Sequence, residues 1–170
     1  GSTNAMTTGF GDAAIVADRK KNRLLVMMVC GRTVCWNGRW TPEKSLTDDA
    51  VNRVARLYAT YDKAHKKWVW SQPEEVTNSI YNLFLDENGN PTVSSLFIGS
   101  GKICQSRIVK KGRYYRLYCS MWTRDEGNRV IYSDDFGGSW QVLGKVADRP
   151  APYGDEPKIE ELPDGTVVLS

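Results

Sequence analysis

Apolar and polar residues alternate in short runs along this chain, and each run ends at a cluster of turn formers. "AIVAD" gives way to "RKKNR" and then to the apolar run "LLVMMVCG"; "VARLYATYD", "KAHKK" and "WVWSQP" repeat the scheme. Short alternating runs rich in β-branched and aromatic residues predict strands, and the Gly, Asn and Asp between them predict turns. "SLFIGSGKICQSRIVK" and "RYYRLYCSMWT" read as two arms of a hairpin joined by "KG". "NRVIYSDD" and "WQVLG" flank "FGGS", and "PKIEEL" and "TVVLS" flank "PDG", as two further hairpins. Only "PEKSLTDDAVNRVARLY" has a helical flavour, and its β-branched residues and aromatic end argue against a long helix. Strands at this spacing predict an all-β sandwich, barrel or propeller.

One pattern recurs. "RVARLYATYDKAHKKWVW" and "GNRVIYSDDFGGSWQVL" each run from Arg-Val through a strand to a Thr/Ser-x-Asp turn, and then to a Trp that opens the next strand. A repeated unit of a few strands favours the propeller among the three architectures. The length of 170 residues suits one domain with a sizeable core. "GSTNA", residues 1–5, reads as an expression scar, which leaves residues 6–170 as the domain.

Charge and cysteines narrow the chemistry. The net charge of +3 comes from 23 basic and 20 acidic residues, a balance that does not point to nucleic acid. The densest basic runs, "DRKKNR" and "KAHKK", fall where turns are predicted and read as solvated turns. No apolar run is long enough for a membrane-spanning helix. The cysteines Cys30, Cys35, Cys104 and Cys119 have no C-x-x-C spacing and His65 is the only histidine, so no zinc site is expected, and neither is any other metal or organic cofactor. A tight turn at Lys111-Gly112 would set Cys104 opposite Cys119, leaving either a cross-strand disulfide or, as favoured, two buried thiols.

The stretch "IYSDDFGGSW" holds two adjacent acids, Asp134 and Asp135. Neighbours on a strand face opposite ways, so the two should not converge as a catalytic pair. The loop offers too few oxygen ligands for a cation. As a turn it is coherent: the Asp135 carboxylate can accept backbone N–H groups, Gly137 and Gly138 can take positive φ, and Trp140 can fold back over the hairpin.

Ser133, Asp135, Gly137 and Trp140 make a Ser-x-Asp-x-Gly-x-x-Trp motif that resembles the Asp-box, or BNR repeat, of the bacterial sialidases (neuraminidases). "TYDKAHKKW" is similar to a degenerate copy, with Ala64 in place of the Gly and one extra residue. "GDEPKIEELPDGTVVLS" resembles the segment of exo-α-sialidases that carries their catalytic Glu, which maps onto Glu156. "GFGDAAIVADRKKNRLLVMMVCG" and "FIGSGKICQSRIVKKGRYYRLYC" resemble other parts of the sialidases of gut Bacteroides-type bacteria, so the likeness runs from Thr8 onward, weakest at residues 36–50.

The resemblance implies a six-bladed β-propeller of which this chain covers about half, as a central fragment. It implies retaining hydrolysis of terminal sialic acid from glycoconjugates, with a Tyr nucleophile whose proton Glu156 removes. A neutral nucleophile suits a substrate that carries its own carboxylate at the reacting carbon. The family's three clamping arginines, its acid/base Asp and its Tyr match no position here, so the fragment alone is not expected to hydrolyse sialosides. Asp12 matches a family Asp that accepts the N–H of the N-acetyl group, or is a turn Asp at a strand start. Gln105 sits where the family often has a Gln near the glycerol arm, or is a polar residue of a half-exposed strand. Trp36 and Trp40 could line an N-acetyl pocket or serve as core and loop anchors. Tyr114, Tyr115 and Tyr118 match no family motif and are not read as nucleophiles. The implied partners are sialylated glycans, with self-association through exposed blade edges, and the implied location is secreted or periplasmic. The competing reading is a non-catalytic Asp-box propeller module that binds glycans or proteins. A propeller hydrolase acting on another sugar is a third.

Overall fold

The structure is a computed structural model and describes residues 9–31, 39–41, 52–144 and 156–170. Alternation along the first half builds one antiparallel meander: β1 (Phe10–Ala17), β2 (Arg23–Cys30), β3 (Arg53–Asp62) and β4 (Lys67–Trp70), with the short β5 (Glu74–Glu75) pairing part of β3. A connection with the helix α1 (Thr77–Tyr81) leads to the second sheet. Its first arm is broken into β6 (Leu96–Ile98), β7 (Gly101–Lys102) and β8 (Cys104–Lys111). β6 and β8 both pair with β9 (Tyr114–Thr123), and β10 (Gly127–Ser133) and β11 (Gln141–Leu143) complete that meander. β7 instead pairs in parallel with β1, which stitches the two sheets together along their inner strands. β12 (Ile159–Glu161) and β13 (Val167–Leu169) form a hairpin against the far side of the second sheet. Strand dominates, as the alternation predicts, and neither meander closes on itself.

Alternation decides which face each strand buries. Ala14 and Val16 of β1 enter the main core, whereas Ile15 between them is 43% exposed. β9 is apolar on both faces because both are covered. Leu117, Cys119 and Met121 pack toward the first sheet, while Tyr118 packs with Cys104, Val130 and Ile159 toward the β12–β13 hairpin.

The helix α1 was not predicted, and its five residues are held by tertiary partners rather than by propensity. The Thr77 hydroxyl accepts from Val54 N at 3.1 Å and the Tyr81 hydroxyl donates to Asn52 O at 2.9 Å. Ile80, Tyr81 and Phe84 are buried between the sheets.

The β8–β9 hairpin corrects the predicted register. Its turn lies at Gly112-Arg113, with Lys111 opposite Tyr114, and an irregularity between Gln105 and Lys110 brings Cys104 opposite Tyr118 rather than Cys119. Cys104 and Cys119 therefore point to opposite faces of one sheet, and both are free and buried, which rules out a bond between them. Burial alone pushes the Cys119 thiol up to about 12, so it stays protonated and inert.

The two repeated turns share a device and differ in depth. In the second, Ser133 Oγ donates to Asp135 Oδ1 at 2.7 Å and accepts from Gly137 N at 2.7 Å; Asp135 Oδ1 also accepts from Ser139 N at 2.8 Å. Burial works to raise the Asp135 pKa, but these donors outweigh it and hold the carboxyl below its usual value. Asp134 turns away to Arg116, at 2.7 Å, so the two acids do not converge. Trp140 is buried in the main core. In the first turn, Asp62 Oδ1 accepts from Ala64 N and His65 N, but Trp68 stays 42% exposed and packs edge-on against Tyr61.

Candidate functional site

Three inner strands start at one end of the molecule, and the site is built there. β1 and β7 run parallel, with Ala14 opposite Gly101. Asp12 lies two residues before Ala14, and Gly99 two residues before Gly101, so both stand at the same end. Glu156 leads into β12 beside them, because the Ser120 hydroxyl donates to the carbonyl of its neighbour Pro157 at 2.7 Å and Gly99 N donates to Ser120 O at 2.8 Å.

Both acids sit on unusual backbone. Asp12 has φ 46° and falls in the register shift between Gly11 and Ala14 where β1 bulges away from β2. Glu156 has φ 50° and is followed by proline. A non-glycine residue in the left-handed region costs about 1–3 kcal/mol and persists only where its surroundings hold it. A bulge re-aims a side chain, as Asp12 requires if it is to leave the strand face. Both residues are exposed at this end.

Gly99 makes the approach of Glu156 possible. A Cβ there would stand 2.3 Å from the Pro157 carbonyl oxygen and 2.4 Å from Ser120 Oγ. The first is a backbone atom and the second a buried hydroxyl bonded to it, so Gly99→Ala is expected to displace the Glu156-Pro157 segment and cost about 1–3 kcal/mol. Urea unfolding followed by tryptophan fluorescence measures this, and an unchanged midpoint would show that the segment is not seated on Gly99. The sequence reading did not single out Gly99 or Ser120. The only local signal was the Gly99-Ser100-Gly101 run inside a strand arm, which marks close backbone approach.

Below this end, a cleft of ≈ 240 Å³ runs between β1, β8 and β12, lined among others by Lys102, Gln105, Arg107, Glu160 and Glu161. Neither Asp12 nor Glu156 lines it. Its floor is a clamp that seats the β12–β13 hairpin: Glu161 is buried and accepts from Ser106 Oγ at 2.5 Å and from Arg107 N at 2.6 Å. Gln105 belongs to the opposite end of β1 from Asp12, where its amide oxygen accepts from Arg19 N at 2.9 Å and its Nε2 donates to Asp18 at 3.3 Å. Among the described residues, no three His, Cys, Asp or Glu side chains converge to hold a metal ion.

No protein-family model and no curated protein sequence matches the chain. Solved structures do. A Trypanosoma rangeli sialidase, in complex with 2,3-difluorosialic acid as a covalent intermediate, aligns with TM-score 0.61 and 18% identity over 94% of this chain and 24% of its own. The chain has a sialidase-like fold. A leech intramolecular trans-sialidase, complexed with 2,7-anhydro-Neu5Ac, aligns with TM-score 0.58 and 13% identity over 94% of this chain and 35% of its own. A second complex of the T. rangeli sialidase, with 2,3-difluoro-KDN, gives TM-score 0.57 and 16% identity over 94% of this chain and 24% of its own. The chain thus spans about a quarter to a third of the length of these sialidases.

On this sialidase-like fold, Asp12 and Glu156 are brought to one end and Gln105 to the other. Trp36 lies outside the described residues. Trp40 is a core anchor: it is buried, its ring stacks on Tyr81 at 5.0 Å, and its indole N–H donates to Asn78 at 3.1 Å. No helix among the described residues is long and apolar enough to cross a membrane.

Proposed function

We propose that the chain is part of an exo-α-sialidase propeller and supplies Glu156 as the base of a retaining hydrolysis of terminal sialic acid. The observation that carries the reading is the seat of Glu156. An exposed acid on left-handed backbone is pinned through Pro157 to Ser120, at the end of the inner strands that also presents Asp12, on a sialidase-like fold. In this reading each meander is a blade and the β12–β13 hairpin begins a third. The Asp135 turn is an Asp-box, at the pole away from the reaction.

The chemistry assigned to this chain is limited to two groups. Glu156 accepts the phenolic proton of a tyrosine as its oxygen attacks the anomeric carbon, and returns it when water releases the sugar. Asp12 accepts the N–H of the substrate's N-acetyl group. The tyrosine, the acid/base Asp and the arginines that clamp the substrate carboxylate lie outside the matched segments. Full hydrolysis therefore needs a longer protein.

The test is a fluorogenic sialoside assayed with this chain and with a longer protein that contains it. Release of the fluorophore by the longer protein alone supports the reading. Failure of the longer protein to turn over any sialoside while still binding sialylated glycans on an array would replace it with the non-catalytic propeller module.

A further inference from the structure

The pole opposite Asp12 and Glu156 carries a concentration of positive charge that the proposed reaction does not use. β1 and β8 run in the same direction, so the turn after each emerges at that pole. One turn holds Arg19, Lys20 and Lys21, and the other holds Lys110, Lys111 and Arg113. Far apart in the chain, the two turns share the tyrosines at the start of β9. Over the Tyr115 ring stand Arg19 at 4.8 Å, Lys110 at 5.7 Å and Lys20 at 6.0 Å. Over Tyr114 stand Arg113 at 4.9 Å, Arg23 at 5.0 Å and Lys21 at 6.0 Å. The Arg19 guanidinium also donates to the Ser106 carbonyl, which anchors the first turn on β8.

All six turn residues are exposed, and none has a carboxylate within ion-pair distance among the described residues. The nearby acids are already engaged, Asp18 with Arg23 at 2.7 Å and Asp134 with Arg116 at 2.7 Å. Six like charges gathered without direct ion pairs repel one another, and the tyrosine faces and the more distant Asp134 carboxylate offset only part of that. An extended polyanion would offset the rest.

We propose that this pole binds a polyanionic glycan, a chain bearing repeated sulfate or carboxylate groups. One feature favours a glycan over single-stranded nucleic acid. The tyrosine faces are roofed by cations and so are not free for bases to stack on, and base stacking is the main sequence-tolerant contact of single-strand binders. The cations come from two separate turns, which suits any flexible chain whose charges repeat. The site is independent of Glu156.

The probe is a fluorescein-labelled heparin octasaccharide, titrated with the 170-residue chain and followed by anisotropy. Binding should be measurable at low salt and weaken steeply toward about 0.15 M, as screening requires. Lys20→Glu with Lys110→Glu, one residue from each turn, should weaken it by about tenfold or more. Lys102→Glu with Lys158→Glu, toward the Asp12 and Glu156 pole, changes the net charge equally and should weaken it by less than about twofold. The neutral pair Lys20→Ala with Lys110→Ala should fall between, and circular dichroism checks that every variant is folded. Equal losses in the two Glu pairs, no binding at low salt, or tighter binding of an equally charged single-stranded DNA would each overturn the assignment.

Discussion

Replacing Gly137 by alanine is expected to destabilise the chain by about 2–5 kcal/mol, a large share of the stability of a domain this size. Two costs add. Gly137 has φ 85°, and a Cβ there raises the energy of left-handed backbone by about 1–2 kcal/mol. The same Cβ would stand 2.4 Å from Leu25 Cδ2. Leu25 is fully buried in the core of the first sheet, so it has little room to retreat. The turn is also pinned from the other side, where the Arg56 guanidinium donates to the carbonyls of Gly137 and Gly138 while pairing with Glu74. Arg23 lies 3.6 Å from the centre of the Phe136 ring. The control is Gly112→Ala. Gly112 has φ 55° but no atom near its missing Cβ, so only the backbone cost of about 1–2 kcal/mol applies. Urea denaturation of the two variants separates the terms. Equal losses would mean that the Asp135 turn does not bear on Leu25.

The second large effect concerns Glu156. In a longer protein that contains this chain and hydrolyses sialosides, Glu156→Gln should lower kcat by about 10²–10⁴-fold, the range general-base catalysis supplies. The amide keeps the shape and cannot accept the proton. Stability should move by less than about 0.5 kcal/mol, because the side chain is exposed. Glu156→Gly should lose activity similarly while raising stability by about 1 kcal/mol, since glycine relieves the positive φ. Opposite signs for stability and activity at one residue are the mark of a functional position held under strain. A Glu156→Gln protein with unchanged kcat would remove Glu156 from the reaction and leave the Asp12 end as a binding surface.

Much of the architecture is legible because it is local. A hairpin is specified by alternation on two neighbouring segments and by the turn between them. "FGGS" and "PDG" therefore mark their hairpins without help from the rest of the chain. The Asp135 turn is likewise readable, because Ser133, Asp135, Gly137 and Ser139 satisfy one another within seven residues. The depth of Trp140 compared with Trp68 is not readable from the motif. It depends on whether a second sheet lies over the turn, as the first sheet does over Phe136 and Gly137.

The candidate site was legible only in part. Glu156 and Asp12 were reached through segment resemblance, but the reason they share an end is the parallel β1–β7 pairing. That two-residue ladder has no signature of its own. Gln105 shows the same limit: its polarity and position on a strand were visible, and its engagement with Asp18 and Arg19 was not. The register slip on β8 moved Cys104 off Cys119 because a bulge is decided by what packs on each face, here the β12–β13 hairpin on one side and the first sheet on the other.

Local pattern is enough to specify most of the strands, the chemistry of their turns and the residue types available at each. These depend on neighbours within a few positions, where side-chain period and backbone preference act directly. Which ends coincide is a matter of packing between distant segments: Asp12 with Glu156 at one pole, and Lys20 with Lys110 at the other. Such coincidences follow from strand direction and sheet-on-sheet packing. Those are set by the burial of Leu25, Met27, Leu117, Met121 and Ile131 together, not by any segment alone.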